Sequence, residues 1–453
     1  MKIPKPRDSY RVLHTADWHL GKMLSDYSRD DEHLRFLEWL LHTIREEQVD
    51  VLIVAGDLFD SARPPQSAVK RYYEFLARLF RDSGGECRVI VTAGNHDSPA
   101  HLDAPRDVLR ALQATVVGEL PEHMTDAIVA LPDDDSPRLI VAAIPFLRDR
   151  DLRSGQLGQS VEVIQEALRN GISACYEQAA DACGQRDWSE LPRLAIGHLT
   201  VQGACNSDSE REIHIGGLGA VATDAFPESF AYVALGHLHR PQRVEESARV
   251  CYSGSPIPLS FSESTDTKSV RIVDFVGAEI VTNEKLAIPP ARRLVQLRCT
   301  RADLEDTLAQ STIEAAELTT WVELIVETTN ASEDLNEVVR ELTEEKPWKI
   351  VRVIARFVGE AASLTENDLP AASIESLLEN PVDVFDHLLE QQAELSDDEI
   401  VALRTAFAEL RDREIAMRDT DADVTVLDPT DDSLAVGLGS VGQDSATTEG
   451  DTP

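Results

Sequence analysis

The chain has no apolar run near the roughly 18 residues that a membrane-spanning helix requires. Its first residues, Met1–Arg7, hold no apolar stretch of signal-peptide length. The protein is therefore expected to be cytoplasmic, with no membrane association. The six cysteines, Cys87, Cys175, Cys183, Cys205, Cys251 and Cys299, show neither Cys-x-x-Cys spacing nor a paired framework. That excludes a thiolate zinc module and argues for reduced, buried or incidental thiols. Positive charge is short as well. Lys and Arg number 43 against 81 Asp and Glu, for a net charge of −38, and only 8 of the 43 are lysine. Such a chain is not a general polyanion binder, although a local basic channel is compatible with it. The acidity is concentrated: residues 356–453 hold 24 Asp and Glu against 5 Arg, half of the net charge. A high-salt or GC-rich host would account for it. No internal repeat is present.

At 453 residues the chain is long enough for two to three domains. Residues 8–280 alternate short apolar strand candidates with helical stretches, the pattern of an α/β sandwich. Helices are expected over 34–44, with Leu34, Leu37, Leu41 and Ile44 on one face, and over 66–80, after Pro64-Pro65. A further helix carries Leu102, Val108, Leu109 and Leu112. The last strands of this domain are expected at 249–252 and 269–275. Residues 291–357 read as a small α+β cap: strand 293–299, helix 302–310, strand 321–327, helix 332–342, strand 348–357. Residues 358–381 read as a linker and 382–417 as one or two amphipathic helices, with a capping-box start at Ser396–Glu399. The tail, 418–453, carries nine acidic residues and no basic one after Arg418, and reads as disordered.

Five polar clusters follow apolar runs in this first domain. They are Asp17-Trp18-His19, Gly56-Asp57, Gly94-Asn95-His96-Asp97, Gly197-His198 and Gly236-His237-Leu238-His239. The runs before them are 11–14, 51–55, 89–92, 194–196 and 232–235. Polar ligands at the ends of buried strands are what a site on a sheet edge requires. Asp17 and His19 are separated by one residue, so in extended chain both point the same way and can take one metal. Asp57, a carboxylate beside a glycine, is the natural ligand to bridge two cations. Asn95 supplies a neutral carbonyl oxygen, and His198, His237 and His239 supply imidazoles. This set suits Mn²⁺, Fe²⁺ or Zn²⁺ better than Ca²⁺. Two such cations favour phosphoester hydrolysis. His96 adjoins a ligand and is read as a catalyst, facing the phosphate or protonating the leaving oxygen. Each cluster alone has an ordinary structural reading; their co-occurrence in order does not. His14, His33, His42, His101, His123, His214 and His387 are read as core or surface residues.

The order D-x-H, GD, GNHD, GH, GHxH resembles the calcineurin-like metallophosphoesterase superfamily. His14–Gly21, Ala55–Asp60, Gly94–Ser98, Ala234–Arg240 and Tyr252–Ser260 resemble its nuclease branch, above all the SbcD nuclease-subunit family. The resemblance covers residues 8–280 and, more loosely, 290–410. It implies a β-sandwich flanked by helices and two divalent ions, Mn²⁺. Asp17, His19 and His239 would hold the first, Asn95, His198 and His237 the second; Asp57 would bridge and His96 would be the catalytic histidine. It implies a 3′–5′ double-strand DNA exonuclease and a hairpin and single-strand endonuclease. The enzyme would act in DNA repair, replication and recombination with an SbcC-like coiled-coil ATPase subunit, as a homodimer within a heterotetramer. Helices 66–80 and 99–112 would then dimerise or simply face the core, the cap would bind DNA, and 382–417 would dock on the partner. Cations expected near DNA phosphates are Lys22, Arg63, Arg148, Arg150, Arg153 and Arg240, with Arg29 and Arg243 as further candidates. The acidic tail departs from the pattern and would repel DNA. Two other readings stand beside this one: a phosphoesterase acting on small substrates, and a DNA-end scaffold with little catalysis.

Overall fold

The apolar strands are buried on both faces because they lie between two layers. Along Tyr10–Thr15 and Val51–Ala55 successive side chains alternate sides, as strand geometry dictates. Val12, Val51, Ile53 and Ala55 face the interior of a sandwich, while Leu13, Leu52 and Val54 face an outer layer of helices. This explains why the strands read as continuous apolar runs rather than as alternating ones.

The structure, a computed structural model, describes residues 2–357 apart from 153–159, 185–187, 189, 206–209, 211–219, 245–248, 314, 315, 329–334 and 345, together with 404 and 407. Arg153, the linker 358–381, the segment 382–417 except residues 404 and 407, and the tail 418–453 lie outside the described residues. Residues up to Gly359 form one compact unit.

Two six-stranded sheets form the sandwich. In the first, strands run in the order Glu279–Ala287, Ser269–Val276, Tyr10–Thr15, Val51–Ala55, Arg88–Thr92, Ala114–Val117. The last four of these are mutually parallel and the first two antiparallel. In the second, the order is Gln242–Arg243, Val250–Tyr252, Tyr232–Gly236, Arg193–His198, Leu139–Ala143, Ile128–Leu131. Its four central strands are parallel. Helices Asp30–Glu46 and Gln66–Ser83 cover the first sheet through Phe36, Leu40, Phe75 and Leu76. Helix Val161–Gly184 covers the second through Leu168, Ile172, Tyr176 and Ala179. Among the described residues, no helix is long and apolar enough to cross a membrane.

Helix Asp30–Glu46 carries three acidic residues in its first turn and Arg45 in its last, the arrangement that a helix dipole favours. Helix Gln66–Ser83 begins after Pro65 and ends at Gly84, where φ is +63°. The helix expected after Asp97 is two short ones, Pro99–Asp103 and Arg106–Ala111, because Pro105 stands between them. Residues 294–357 form a separate three-stranded parallel sheet in the order Leu294–Thr300, Trp321–Thr328, Lys349–Phe357, with helices Leu304–Gln310 and Leu335–Thr343 in its connections. This small sheet rests against the sandwich. Trp321 packs with Phe261, Leu24 and Tyr27 of the sandwich side. Arg292 and Arg29 both donate to Glu32 Oε1 at 2.7 Å, and Arg292 stacks on the Trp321 ring at 4.1 Å.

Candidate metal centre

Parallel strands in both sheets point their C-terminal ends to one edge, and the five clusters meet there. Asp17 follows Tyr10–Thr15, Asp57 follows Val51–Ala55, Asn95 and His96 follow Arg88–Thr92, His198 ends Arg193–His198, and His237 follows Tyr232–Gly236. Asp17, His19, Asp57, His96, His198, His237 and His239 are all buried, and Asn95 is partly exposed.

The route by which Asp17 and His19 come to one side differs from the extended chain that their spacing implies. Both have left-handed backbone, φ 54° and 46°. Their N–H groups donate to the carbonyls of Gly56 and Asp57 at 3.1 and 3.0 Å, tying the first cluster to the second. Trp18 between them turns into the core, edge-on to Phe36 and Phe75, and anchors the turn. Two glycines permit the close approach of the clusters. A Cβ on Gly94 would lie 2.1 Å from Asp57 Oδ1, and one on Gly236 would lie 1.8 Å from the Ala55 carbonyl.

Within this frame, donor atoms of Asp17, His19 and His239 fall within 4.8 Å of one another. So do those of His19, Asp57 and His96, and those of Asp17, Asp57 and His198. Asp57 Oδ2 is 3.5 Å from His19 Nε2 and 3.4 Å from His198 Nε2. His198 Nε2 is 3.0 Å from Asn95 Oδ1, and the His237 ring is 5.5 Å from the His198 ring.

Each acid gives one oxygen to the backbone and presents the other. Asp17 Oδ1 accepts the His237 N–H, and Asp57 Oδ1 accepts the His96 N–H, both at 2.8 Å. Two of the imidazoles are similarly fixed. His198 Nδ1 contacts the Ala55 carbonyl at 3.0 Å, and His96 Nδ1 the Asp60 carbonyl at 2.8 Å. A carbonyl only accepts, so both Nδ1 atoms carry the proton, which leaves Nε2 as the ring atom that would meet a cation.

The electrostatics call for a cation. Burial and the neighbouring Asp57 push Asp17 up to about 7. Burial opposes the ionisation of Asp57 too, but His198 and His19 hold its carboxyl well below the usual carboxylate range. Against its own burial, His198 is pushed up to about 9 by Asp57 and Asp17. Burial drives His237 well below the ordinary histidine value, so it is neutral and able to ligate. Asp17 Oδ2 and His19 Nε2 are buried with no hydrogen-bond partner. Buried polar atoms are normally satisfied. Hard oxygen and nitrogen donors with two orphans among them fit divalent cations.

Three further acids belong to the site. Asp97 accepts from the N–H groups of Leu58, Phe59 and Gly94 at 2.9–3.0 Å, tying the second cluster to the third; burial and Asp57 push it up to about 6. Asp60 Oδ1 lies 3.2 Å from His19 Nδ1, though not in good hydrogen-bond geometry. Glu263 Oε1 lies 3.2 Å from His239 Nδ1. Asp97 and Asp60 stand inside the motifs of the second and third clusters, without a signal of their roles. Nothing in the sequence pattern marks Glu263.

The cation candidates are dispersed. Lys22 pairs with Asp60 at 3.0 Å and Arg240 with Asp266 at 3.2 Å. Arg150 pairs with Glu119 and Asp151. Arg63 is exposed, and Arg148 is half-buried with its N–H on Asp151.

Residues 10–241 match the calcineurin-like phosphoesterase family, and residues 290–393 match the type 5 capsule protein repressor C-terminal domain, SbcD_C. The SbcD subunit of the SbcCD nuclease from Escherichia coli (strain K12) is 38% identical over 347 residues, 76% of this chain and 84% of that protein. This chain belongs to the SbcD family of calcineurin-like phosphoesterases. Its SbcD relatives include the Rhodobacter capsulatus protein of the same name, 41% identical over 59% of this chain and 67% of that one. The Bacillus subtilis SbcD is 35% identical over 63% and 71%. Family membership makes the chain a phosphoester hydrolase, and the Asp and His cluster lies within the matched region.

Proposed function

We propose that this chain is the nuclease subunit of an SbcCD-type complex, hydrolysing DNA phosphodiesters at a pair of divalent cations, Mn²⁺. The observation that carries the reading is Asp57. One of its oxygens stands 3.5 Å from His19 Nε2 and 3.4 Å from His198 Nε2, the position of a carboxylate shared by two ligand sets. Asp17, His19 and His239 would hold one cation, and Asn95, His198 and His237 the other, with Asp57 between. Bound there, the cations supply Lewis acidity at a phosphoryl oxygen and lower the pKa of water.

The chain's own part is positioning. Asp17 and Asp57 are locked by backbone N–H groups, so their free oxygens need no reorganisation. Asn95 sits at the more open rim, with buried His96 beside it. His96, oriented by the Asp60 carbonyl, holds a proton at Nδ1 and turns Nε2 toward the cluster, 4.0 Å from Asp57 Oδ2. There, as imidazolium, it donates from Nε2 to a phosphate oxygen or protonates the leaving oxygen.

The names of the relatives support a nuclease that is one subunit of an SbcCD complex; DNA as substrate and a coiled-coil ATPase as the SbcC-like partner are part of the proposal. The 3′–5′ exonuclease and hairpin endonuclease activities, the homodimer within a heterotetramer, the DNA-binding role of the cap and the docking role of 382–417 belong to the same proposal. The decisive assay uses end-labelled duplex and hairpin DNA with Mn²⁺, with and without the co-expressed ATPase subunit and ATP. Asp57→Ala is expected to abolish cleavage while leaving the circular dichroism spectrum unchanged. Full Mn²⁺-dependent cleavage by the purified variant would sink the reading.

A further inference from the structure

Behind both histidines of the first ligand set stands a carboxylate with its own lysine. Glu263, in the turn Phe261–Glu263, is fully buried and its Oε1 faces His239 Nδ1 at 3.2 Å. Its Oε2 takes the buried Lys268 ammonium and, at 3.2 Å, the Leu259 N–H. Lys268 also donates to the His239 carbonyl at 2.9 Å and to Ser255 Oγ at 3.0 Å. His239 is therefore gripped at ring and backbone by one ion pair. Asp60 stands behind His19 more loosely: its Oδ1 is 3.2 Å from His19 Nδ1, out of hydrogen-bond alignment, and 3.0 Å from Lys22 Nζ. The second set is built differently. His198 Nδ1 rests on a neutral carbonyl, that of Ala55, and its companion Asn95 carries no charge.

We propose that Glu263 and Asp60 are positioning residues that make the Asp17–His19–His239 position the tighter of the two cation positions. The inference rests on the two-cation reading above. A carboxylate behind a histidine fixes the ring and raises its basicity toward a metal, and removing such a partner typically costs about 10–100-fold in affinity. On the two-cation reading the first position also has Asp17 as an anionic ligand, whereas the second has none beyond the shared Asp57. A buried Lys–Glu pair is weak evidence for stability by itself. Its contacts with His239 give it another use.

Titration of the full chain with Mn²⁺, followed by the electron paramagnetic resonance signal of the free ion, is expected to resolve a tight and a weak class. Glu263→Gln should weaken the tight class about 10–100-fold and leave the weak class in place. Asp60→Asn should do the same. The double variant Glu263→Gln with Lys268→Met, which leaves no unpaired buried ammonium, should match Glu263→Gln. Equal weakening of both classes, accompanied by a lower melting temperature without metal, would mean a structural role alone and overturn the proposal. Unchanged binding would overturn it too, while leaving the proposed function intact. Failure of the wild-type chain to bind two ions would instead sink the proposed function.

Discussion

Asp17, His19, Asp57 and His237 all have left-handed backbone, with φ between 46° and 92°. A non-glycine residue held in such a conformation costs about 1–3 kcal/mol. Asp, Asn and His enter it more readily than other side chains. The ligand chemistry and the backbone thus select the same residue types, and strain collects where the cations would bind. The identity of these residues was legible because five short motifs recur in order. Their conformation was not, since spacing alone reads Asp17 and His19 as extended chain. Glu263 was illegible for another reason: it reaches His239 across 24 residues of chain, and no local pattern marks such a contact. The non-ligand histidines carry a separate consequence. Burial lowers both His14 and His33 to about 3. Each is neutral when folded but takes up a proton on unfolding below about 6.5, its ordinary value. Their contribution is therefore complete above that pH and is lost as pH falls toward 3, by up to about 1.4 kcal/mol per unit for each group. His33→Leu is expected to flatten the fall in urea-unfolding free energy between pH 7 and pH 5. An unchanged slope would mean that His33 protonates in the folded state.

At the scale of elements, strands buried on both faces announce themselves as unbroken apolar runs, and the helices over the first sheet as stripes. The edge strand Glu279–Ala287 does not. Its residues alternate between exposed and half-buried and include Glu279, Asn283, Glu284 and Lys285, so its place comes from pairing with Ser269–Val276. The limits of the helices after Asp97 were set by Pro105, a signal present in the sequence but outweighed by the apolar spacing of Leu102, Leu109 and Leu112. The closest approach between strand ends hangs on Gly236. Because the clashing atom is a backbone carbonyl, relief requires the sheets to part. Gly236→Ala is expected to lower stability by about 3 kcal/mol and to impair Mn²⁺ binding, measured by urea unfolding and titration. Gly184→Ala, where the nearest atom to a new Cβ is 3.9 Å away, should leave both unchanged.

Across the whole compact unit, the small parallel sheet is joined to the sandwich through charge as well as apolar contact. Glu32 holds both Arg29, which is fully buried, and Arg292. Deleting that carboxylate strands two guanidinium groups against Trp321. Glu32→Ala is expected to destabilise by about 3–5 kcal/mol, the scale of a broken buried pair, and to expose the 288–293 connection to protease. A loss below about 1 kcal/mol would show that the arginines find other partners. The two regions were legible in the sequence; their junction was not, because Glu32 and Arg292 are 260 residues apart. The site itself spans the two sheets: Asp17, His19, Asp57, Asn95 and His96 come from one, and His198, His237 and His239 from the other. A cation there would be a cross-link. On the proposed ligand sets it would join residue 17 to residue 239 in a chain whose six cysteines are all free, closing a loop as a long-range disulfide does. A chelator should act on this protein as a reductant acts on a disulfide-bonded one. Mn²⁺ at about 100 times its dissociation constant should add about 2.7 kcal/mol per site, and removing it should release the sandwich at that edge first, read as faster hydrogen exchange at 55–60 and 236–240.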